Sequence, residues 1–223
     1  YKKRLAEEFK EMFGDIVFLS YDFKELSKLD REFELPRAIL DFFDAELSEV
    51  EDRVYTSLLF RRGVSGDPRM VSYLLTVLVK YGREAFCESL DNALARGKIT
   101  SVEREIEQLC KHDAPSHKAR AVVSVLETYG IQDFKPILVF TTRKKAAESI
   151  RNAITRSLGV SSDRRVVLLT GDVDRDKRKE IVSKASQGLI DVIIATRVGE
   201  EGIDIPEAGL LVMADITPNE LRF

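Results

Sequence analysis

Few features of this chain point to a membrane or to an oxidising compartment. Its 223 residues include only two cysteines, Cys87 and Cys110, which form neither a Cys-x-x-Cys pair nor a disulfide framework. No apolar run approaches the roughly 20 residues that a membrane-spanning helix needs, and we recognise no secretory signal. These absences favour a reducing compartment such as the cytosol, and no membrane partner.

Metal-binding side chains and excess charge are also scarce. Cys110, His112 and His117 lie near one another in sequence, but their spacing fits no familiar zinc pattern, so we predict no metal site. The net charge of −3 argues against wholesale electrostatic capture of nucleic acid. The charge is uneven, however. Residues 1–110 are net acidic and residues 111–223 are net basic, which favours the second part as the one that meets phosphates.

From residue 35 to about 129 the pattern is helical throughout. Ser48 and Glu51 form a capping box, in which each side chain satisfies a backbone amide of the other residue. Asp67 precedes a proline and supplies a second N-cap, and Gly82 lies where that helix should end. These signals predict several short helices, none of which carries a catalytic cluster.

From residue 136 onward, short apolar strands alternate with helices, which implies parallel pairing with right-handed crossovers. The predicted strands are Ile137–Phe140, Val166–Leu169, Asp191–Ala195 and Leu210–Met213. The sequence therefore predicts an α/β fold class, with a parallel-sheet domain at residues 114–223 preceded by an all-helical domain at residues 35–113. Residues 1–34, with a predicted helix and a strand at Ile16–Leu19, form a separate segment.

Three of these strands end in hydroxyl-bearing residues, which would share one edge of a parallel sheet. Such an edge suits the successive phosphates of a nucleic-acid strand, because hydroxyls and backbone amides converge there. Arginines nearby could add charge. The alternative is that each threonine only caps the helix that follows. The candidate residues are Thr141, Thr142, Arg143, Thr170, Gly171, Arg178 and Thr196.

The stretch from Asp191 to Pro206 is a buried strand followed by a glycine-spaced polar turn. Open α/β sheets bind ligands just beyond the carboxyl ends of their strands. Gly199 and Gly202 let the backbone turn tightly or approach a phosphate. Asp204 is a candidate partner for a ribose hydroxyl. The alternative is an ordinary strand-to-helix loop.

Together these segments resemble the second RecA-like domain of superfamily 2 helicases and translocases over roughly residues 114–223. Residues 136–143 resemble motif IV of that family, residues 169–178 motif IVa, and residues 195–206 motif V. The earlier part fits more loosely. Residues 1–19 resemble the end of a first RecA-like domain, and residues 46–55 resemble the helix that opens the region between two motor domains. The helical insertion is similar to those of archaeal fork-processing helicases, their Fanconi-anaemia relatives and the RIG-I-like sensors.

The resemblance implies roles for individual residues. The seven strand-end candidates would contact the tracking strand, Gly202 and Asp204 would reach ATP, and Glu200 and Glu201 would couple nucleotide state to strand grip. It further implies DNA rather than RNA as partner, a role in DNA repair, and a cytoplasmic (nucleoid-associated) or nuclear location.

The chain departs from the family pattern in parts that an intact motor needs. It has no Gly-x-x-x-x-Gly-Lys-Ser/Thr loop and no Asp-Glu pair placed to hold magnesium. It also stops before motif VI. We therefore expect a fragment of an ATP-dependent helicase, itself inactive and without catalytic residues. The ligands of its Mg²⁺, and the first RecA-like domain, would lie outside this chain. The alternatives are a non-catalytic RecA-like module that binds nucleic acid or protein, and an unrelated nucleotide-binding domain such as a transferase.

Overall fold

The computed structural model describes the backbone of residues 15–18 and, in full, residues 46–157, 165–196 and 208–215. The helix predicted before residue 14 lies outside these ranges. In chain order the elements are β1 (Asp15–Phe18), α1 (Glu49–Leu59), β2 (Val64–Gly66), α2 (Pro68–Tyr81), α3 (Arg83–Ala95), β3 (Ile99–Val102), α4 (Arg104–Cys110), α5 (His117–Tyr129), α6 (Ile131–Phe134), β4 (Ile137–Thr141), α7 (Lys144–Ser157), β5 (Val166–Leu169), α8 (Arg175–Ser186), β6 (Val192–Thr196) and β7 (Leu210–Met213).

Five parallel strands form one sheet in the order β1-β7-β4-β6-β5. This confirms the predicted α/β class with a parallel sheet. Strands β5 and β7 have the predicted bounds. Strand β4 extends one residue further than predicted, to Thr141, and β6 begins and ends one residue later, at Val192 and Thr196. Strand β1 comes from the segment expected to belong to a first motor domain, yet it pairs with β7 at the edge of this sheet. The division of the chain into three domains stays a prediction.

The central strands are apolar on both faces because helices cover both. All five residues of β4 and all five of β6 are buried. Ile137 and Val139 pack with α5 and α7 on one face, whereas Leu138 and Phe140 pack with α8 on the other. Alternate side chains of one strand thus supply two cores, as the two-residue period of a strand requires.

Helices α1 to α4 surround a separate apolar core, which we call the helical unit (residues 46–110). Its centre holds Leu74, Leu78 and Phe86, each with essentially no exposed surface. The sequence predicted a unit made of helices alone. The structure differs, because β2 and β3 form a two-stranded antiparallel ribbon within it. Ile99 of β3 is buried in the same core. Strands of three and four residues are too short to show a clear alternation, so helical periodicity concealed them.

The two cysteines also differ from the prediction. Cys87 of α3 and Cys110 of α4 form a disulfide, with their Cα atoms 5.5 Å apart. The two cysteines are 23 positions apart, and the chain between them folds back through the ribbon, which brings the two helices together. Sequence spacing alone could not show this proximity.

A buried carboxylate joins the helical unit to the sheet domain. Glu51 of α1 accepts hydrogen bonds from the backbone amide and Nδ1 of His117, the first residue of α5, at 3.1 and 3.2 Å. The other ring nitrogen of His117 lies 2.9 Å from the carbonyl oxygen of Val79 in α2. Each ring nitrogen of His117 thus faces an oxygen acceptor, one from a carboxylate and one from a carbonyl. The capping box predicted at Ser48 is confirmed and occupies the second carboxylate oxygen.

We expect the stability that this junction contributes to be lost at acidic pH. Burial alone raises the pKa of Glu51, but the hydrogen bond and charge of His117 and the bonds from Ser48 outweigh it and lower the pKa from 4.5 to about 2. A depressed carboxyl pKa stabilises the fold above the unfolded value and loses that contribution as pH falls through the folded value. Unfolding free energy measured by denaturant titration should fall by on the order of 3 kcal/mol between about pH 4.5 and 2.

Substitution separates Glu51 from other carboxyls in that titration. Glu51→Gln should abolish most of the acid-dependent loss, whereas Glu49→Gln, which changes an exposed residue of the same helix, should leave it in place. An acid dependence that survives unchanged in Glu51→Gln would contradict the assignment.

Gly82 is needed where α2, α3 and α5 meet. Its φ is +89°, and a Cβ there would lie 2.8 Å from Oγ of Ser116, the residue before α5. Gly97 provides a matched comparison, since its φ is +65° but a Cβ added there would have nothing within 4 Å. Both substitutions by alanine strain the backbone, and only the first also forces atoms together.

Gly82→Ala should therefore destabilise the protein more than Gly97→Ala does. We expect a loss of about 1 kcal/mol at Gly97 from backbone strain, and about 2–4 kcal/mol at Gly82 from strain plus overpacking. Urea unfolding of the two variants measures the difference, and equal losses would show that Ser116 yields freely.

Candidate functional site

The threonine-tipped strands end side by side, as the sequence predicted. Thr141 of β4 and Thr196 of β6 are register partners. In β5, Leu169 is the partner of Ala195, so Thr170 follows at the level of Thr196. The three threonines lie along one edge of the sheet, and each is less than one-tenth exposed. Their proximity is a structural finding, whereas contact with a nucleic-acid strand stays a prediction.

Asp215, just after β7, organises this edge and was missed by the sequence analysis. The Thr141 hydroxyl donates to Oδ2 of Asp215 at 2.5 Å, and the Thr142 amide donates to both carboxylate oxygens at 3.0 and 3.1 Å. The Thr141 hydroxyl therefore bonds inside the protein and is not held open towards solvent. An aspartate directly after a buried apolar strand was the available sequence signal.

A buried lysine of α5 interacts electrostatically with this carboxylate. Lys118 of α5 is 2% exposed, and its Nζ donates to the Ala214 carbonyl oxygen at 2.9 Å. Burial lowers the pKa of Lys118 to about 8, although the charge of Asp215 opposes the shift. Burial likewise raises the pKa of Asp215, against the hydrogen bond from Thr141 and the charge of Lys118. Two buried titratable groups that interact electrostatically, Asp215 and Lys118, thus lie behind the strand ends.

The alternative interpretation was that each threonine only caps the helix that follows it. This does not hold for Thr170. The side chain of Asp174 caps α8 by accepting from the Lys177 amide at 2.8 Å, so Thr170 is not the cap. The Thr142 hydroxyl lies close to Asp215 but makes no hydrogen bond within the described ranges. That hydroxyl oxygen is buried, so it is not presented to solvent at the start of α7.

The remaining candidates are placed differently. Arg143 reaches the helical unit, where it donates from Nη2 to the hydroxyl of Tyr73 at 2.7 Å. Gly171 is exposed in the turn after Thr170. Arg178 donates from Nε to the Val173 carbonyl oxygen at 2.9 Å, which binds α8 back onto the same turn. The four candidates Glu200, Glu201, Gly202 and Asp204 lie outside the described residues and stay predictions, as does Gly199.

Neither a metal site nor a membrane helix was found in the described part of the chain. Cys110 is bonded to Cys87, and both ring nitrogens of His117 are engaged, so neither residue is available to a metal. Residues 46–157, 165–196 and 208–215 contain no cluster of three metal-binding side chains. Of the helices described, none is both long and apolar enough to cross a bilayer.

Comparison with known proteins identifies the sheet domain. Residues 117–222 match the helicase conserved C-terminal domain. Over these residues the chain matches the C-terminal RecA-like domain of superfamily 2 helicases. This helicase domain contains every strand-end candidate, and the resemblance inferred from motifs IV, IVa and V is thereby confirmed. Which subgroup it belongs to stays a prediction.

Individual relatives align with different shares of this chain. The chain is 33% identical over 114 residues to endoribonuclease Dicer homolog 4 of Oryza sativa subsp. japonica, covering 48% of this chain and 7% of that protein. It is 30% identical over 99 residues to ATP-dependent RNA helicase DBP3 of Yarrowia lipolytica, covering 44% of this chain and 17% of that protein. The Pyrococcus furiosus Hef helicase domain aligns with 20% identity and a TM-score of 0.47, over 93% of this chain and 50% of that chain. The chain thus spans less than a fifth of either curated relative's length.

The relatives overturn one expectation from the sequence. DNA was expected in preference to RNA, but DBP3 and several further relatives are named as RNA helicases. The preference for DNA is therefore wrong, because RNA has at least equal support. The candidate residues are ones that would contact phosphates, which DNA and RNA share, so they could not distinguish the two nucleic acids.

We expect Asp215 and Lys118 to depend on each other for their effect on stability. Asp215→Ala should lower the free energy of unfolding by about 3–5 kcal/mol, because it leaves a buried ammonium group without its counter-charge. Adding Lys118→Met should recover part of that loss. Denaturant unfolding of the two single variants and the double variant measures the coupling.

A surface pair serves as the control for this cycle. Asp172→Ala removes an exposed ion pair with Lys144 and should have a much smaller effect on the free energy of unfolding, because solvent screens such pairs. Strictly additive losses for Asp215→Ala and Lys118→Met would show that the two buried groups do not interact.

Proposed function

We propose that this chain is part of an ATP-dependent nucleic-acid helicase or translocase, in which its helicase domain grips one strand. The observation that carries the proposal is the row of three strand ends at one sheet edge, with Thr141 and Thr196 in register. The match to the helicase conserved C-terminal domain supports the same function. The alignments to relatives named as ATP-dependent RNA helicases support ATP as the nucleotide.

The edge suits a phosphate backbone for physical reasons. Helices α7 and α8 begin there, and the first turn of a helix presents unpaired amides and a partial positive charge. The exposed backbone at Gly171 lies shortly before α8, in the turn after Thr170. Hydroxyls and amides contact phosphates without reading bases, so this grip would serve any sequence.

ATP would be shared with a second motor domain that lies outside this chain. Gly202 and Asp204 are the residues we assign to the nucleotide, and Glu200 and Glu201 those we assign to coupling. Phosphoryl transfer depends on positioning and charge stabilisation, which require phosphate-binding and magnesium-binding residues that the chain does not supply. We therefore propose that these 223 residues alone hydrolyse no ATP. A cytoplasmic, nucleoid-associated or nuclear location belongs to the same proposal.

Thr196→Ala in the complete protein tests the grip. The threonine lies in the middle of the row, between the ends of β4 and β5. The nucleic-acid concentration for half-maximal ATPase stimulation should rise by about tenfold, as expected for the loss of a hydrogen bond to a charged phosphate. Oligouridine and oligothymidine should be compared in parallel, because the substrate class is open.

The matched control is Thr128→Ala, which removes an exposed threonine hydroxyl from the far helix α5. It should leave stimulation unchanged, and thermal unfolding should show that both variants remain folded. Unchanged stimulation and unwinding in Thr196→Ala would remove this residue from the grip. A complete protein without any ATPase would instead support a non-catalytic binding module.

A further inference from the structure

Arg143 is held by two tyrosines that belong to the helical unit. Its Nη2 donates to the hydroxyl of Tyr73 at 2.7 Å, and its Cζ lies 5.1 Å from the centroid of the Tyr81 ring. Both tyrosines lie on α2, whereas Arg143 follows β4 and directly precedes α7. This contact joins the sheet edge to the helical unit.

The partners of Arg143 orient its charge without cancelling it. The next two residues are cations as well, but Lys144 pairs with Asp172 and Lys145 pairs with Glu148. No carboxylate lies within ion-pair distance of Arg143 in the part of the chain that the structure describes. A tyrosine hydroxyl and an aromatic face are neutral, so the guanidinium keeps its full positive charge.

The arginine is also fixed at its base. The adjoining Thr142 amide donates hydrogen bonds to the buried Asp215, which restrains the backbone just before Arg143. The side chain is thus positioned from the sheet side and from the helical side. Most of the guanidinium N–H groups remain for a ligand, and a planar fork of donors matches the oxygens of a phosphate.

We propose that Tyr73 and Tyr81 are positioning residues that direct Arg143 towards a phosphate of the bound strand. The helical unit is then part of the strand-binding site, since it sets the geometry of a contact made by the helicase domain. Tyr73 is 41% exposed, which leaves the region around the guanidinium open to a strand. The inference rests on the proposed strand-binding function.

The first measurement is the salt dependence of strand binding by the complete protein, with fluorescently labelled oligouridine and oligothymidine as probes. Arg143→Ala should weaken binding and reduce the slope of log affinity against log salt by about one, because one phosphate contact is lost. Tyr73→Phe removes only the hydroxyl. It should weaken binding by about three- to tenfold while leaving the slope unchanged, since the cation remains.

A double-mutant cycle separates positioning from a general structural effect. Tyr73→Phe should have no further effect in the Arg143→Ala background, because the tyrosine acts only through the arginine. Tyr81→Leu, which removes the aromatic face, should behave in the same way. Tyr55→Phe is the matched control within the helical unit and should change neither affinity nor slope.

The outcomes distinguish the inference from the function on which it rests. If the wild-type protein binds neither probe, both are overturned. If Arg143→Ala weakens binding but the two tyrosine variants do not, the inference alone is overturned. It is also overturned if Tyr73→Phe is equally damaging with and without Arg143. Thermal unfolding of each variant identifies any loss that is due to instability.

Discussion

The arrangement of the sheet edge depends on the buried carboxylate of Asp215. It accepts from the Thr141 hydroxyl and the Thr142 amide, and so ties the end of β7 to the end of β4. Asp215 is 3% exposed, so hydrogen bonds and a nearby charge must compensate for the water that its carboxylate has lost. The hydrogen bonds come from the end of β4 and the charge from Lys118 on α5. Two strands and a helix therefore share one electrostatic constraint at the point where a ligand would meet the protein.

The helical unit is joined to this edge by two contacts of different character. The Glu51–His117 contact is buried and strongly bonded, and it fixes the first residue of α5. The contact of Arg143 with Tyr73 is partly open and involves a charge that is oriented but not neutralised. The first contact is suited to holding two units together. The second is suited to presenting a cation at the sheet edge.

Much of the sheet domain could be predicted from the sequence. Continuous apolar runs identified β4 to β7, because a strand covered on both faces has no polar positions to alternate with. The glycine at the end of α2 and the capping box at Ser48 were predicted from local chemistry and are confirmed. The β2–β3 ribbon was missed because its strands are too short for a clear period and depend on burial of Ile99 in a core made by distant helices.

The sequence by itself determined the fold class, the strand ends and the helicase family, since these follow from short-range periodicity and from motifs that are contiguous in the chain. Only the tertiary structure decided how the site residues are used. Thr141 and Asp215 are 74 residues apart, and Arg143 and Tyr73 are 70 apart. Such pairs leave no periodic trace, because their contacts arise only when separate elements pack. The residue types at the edge were thus readable in advance, whereas their partners, their burial and their charge balance were not.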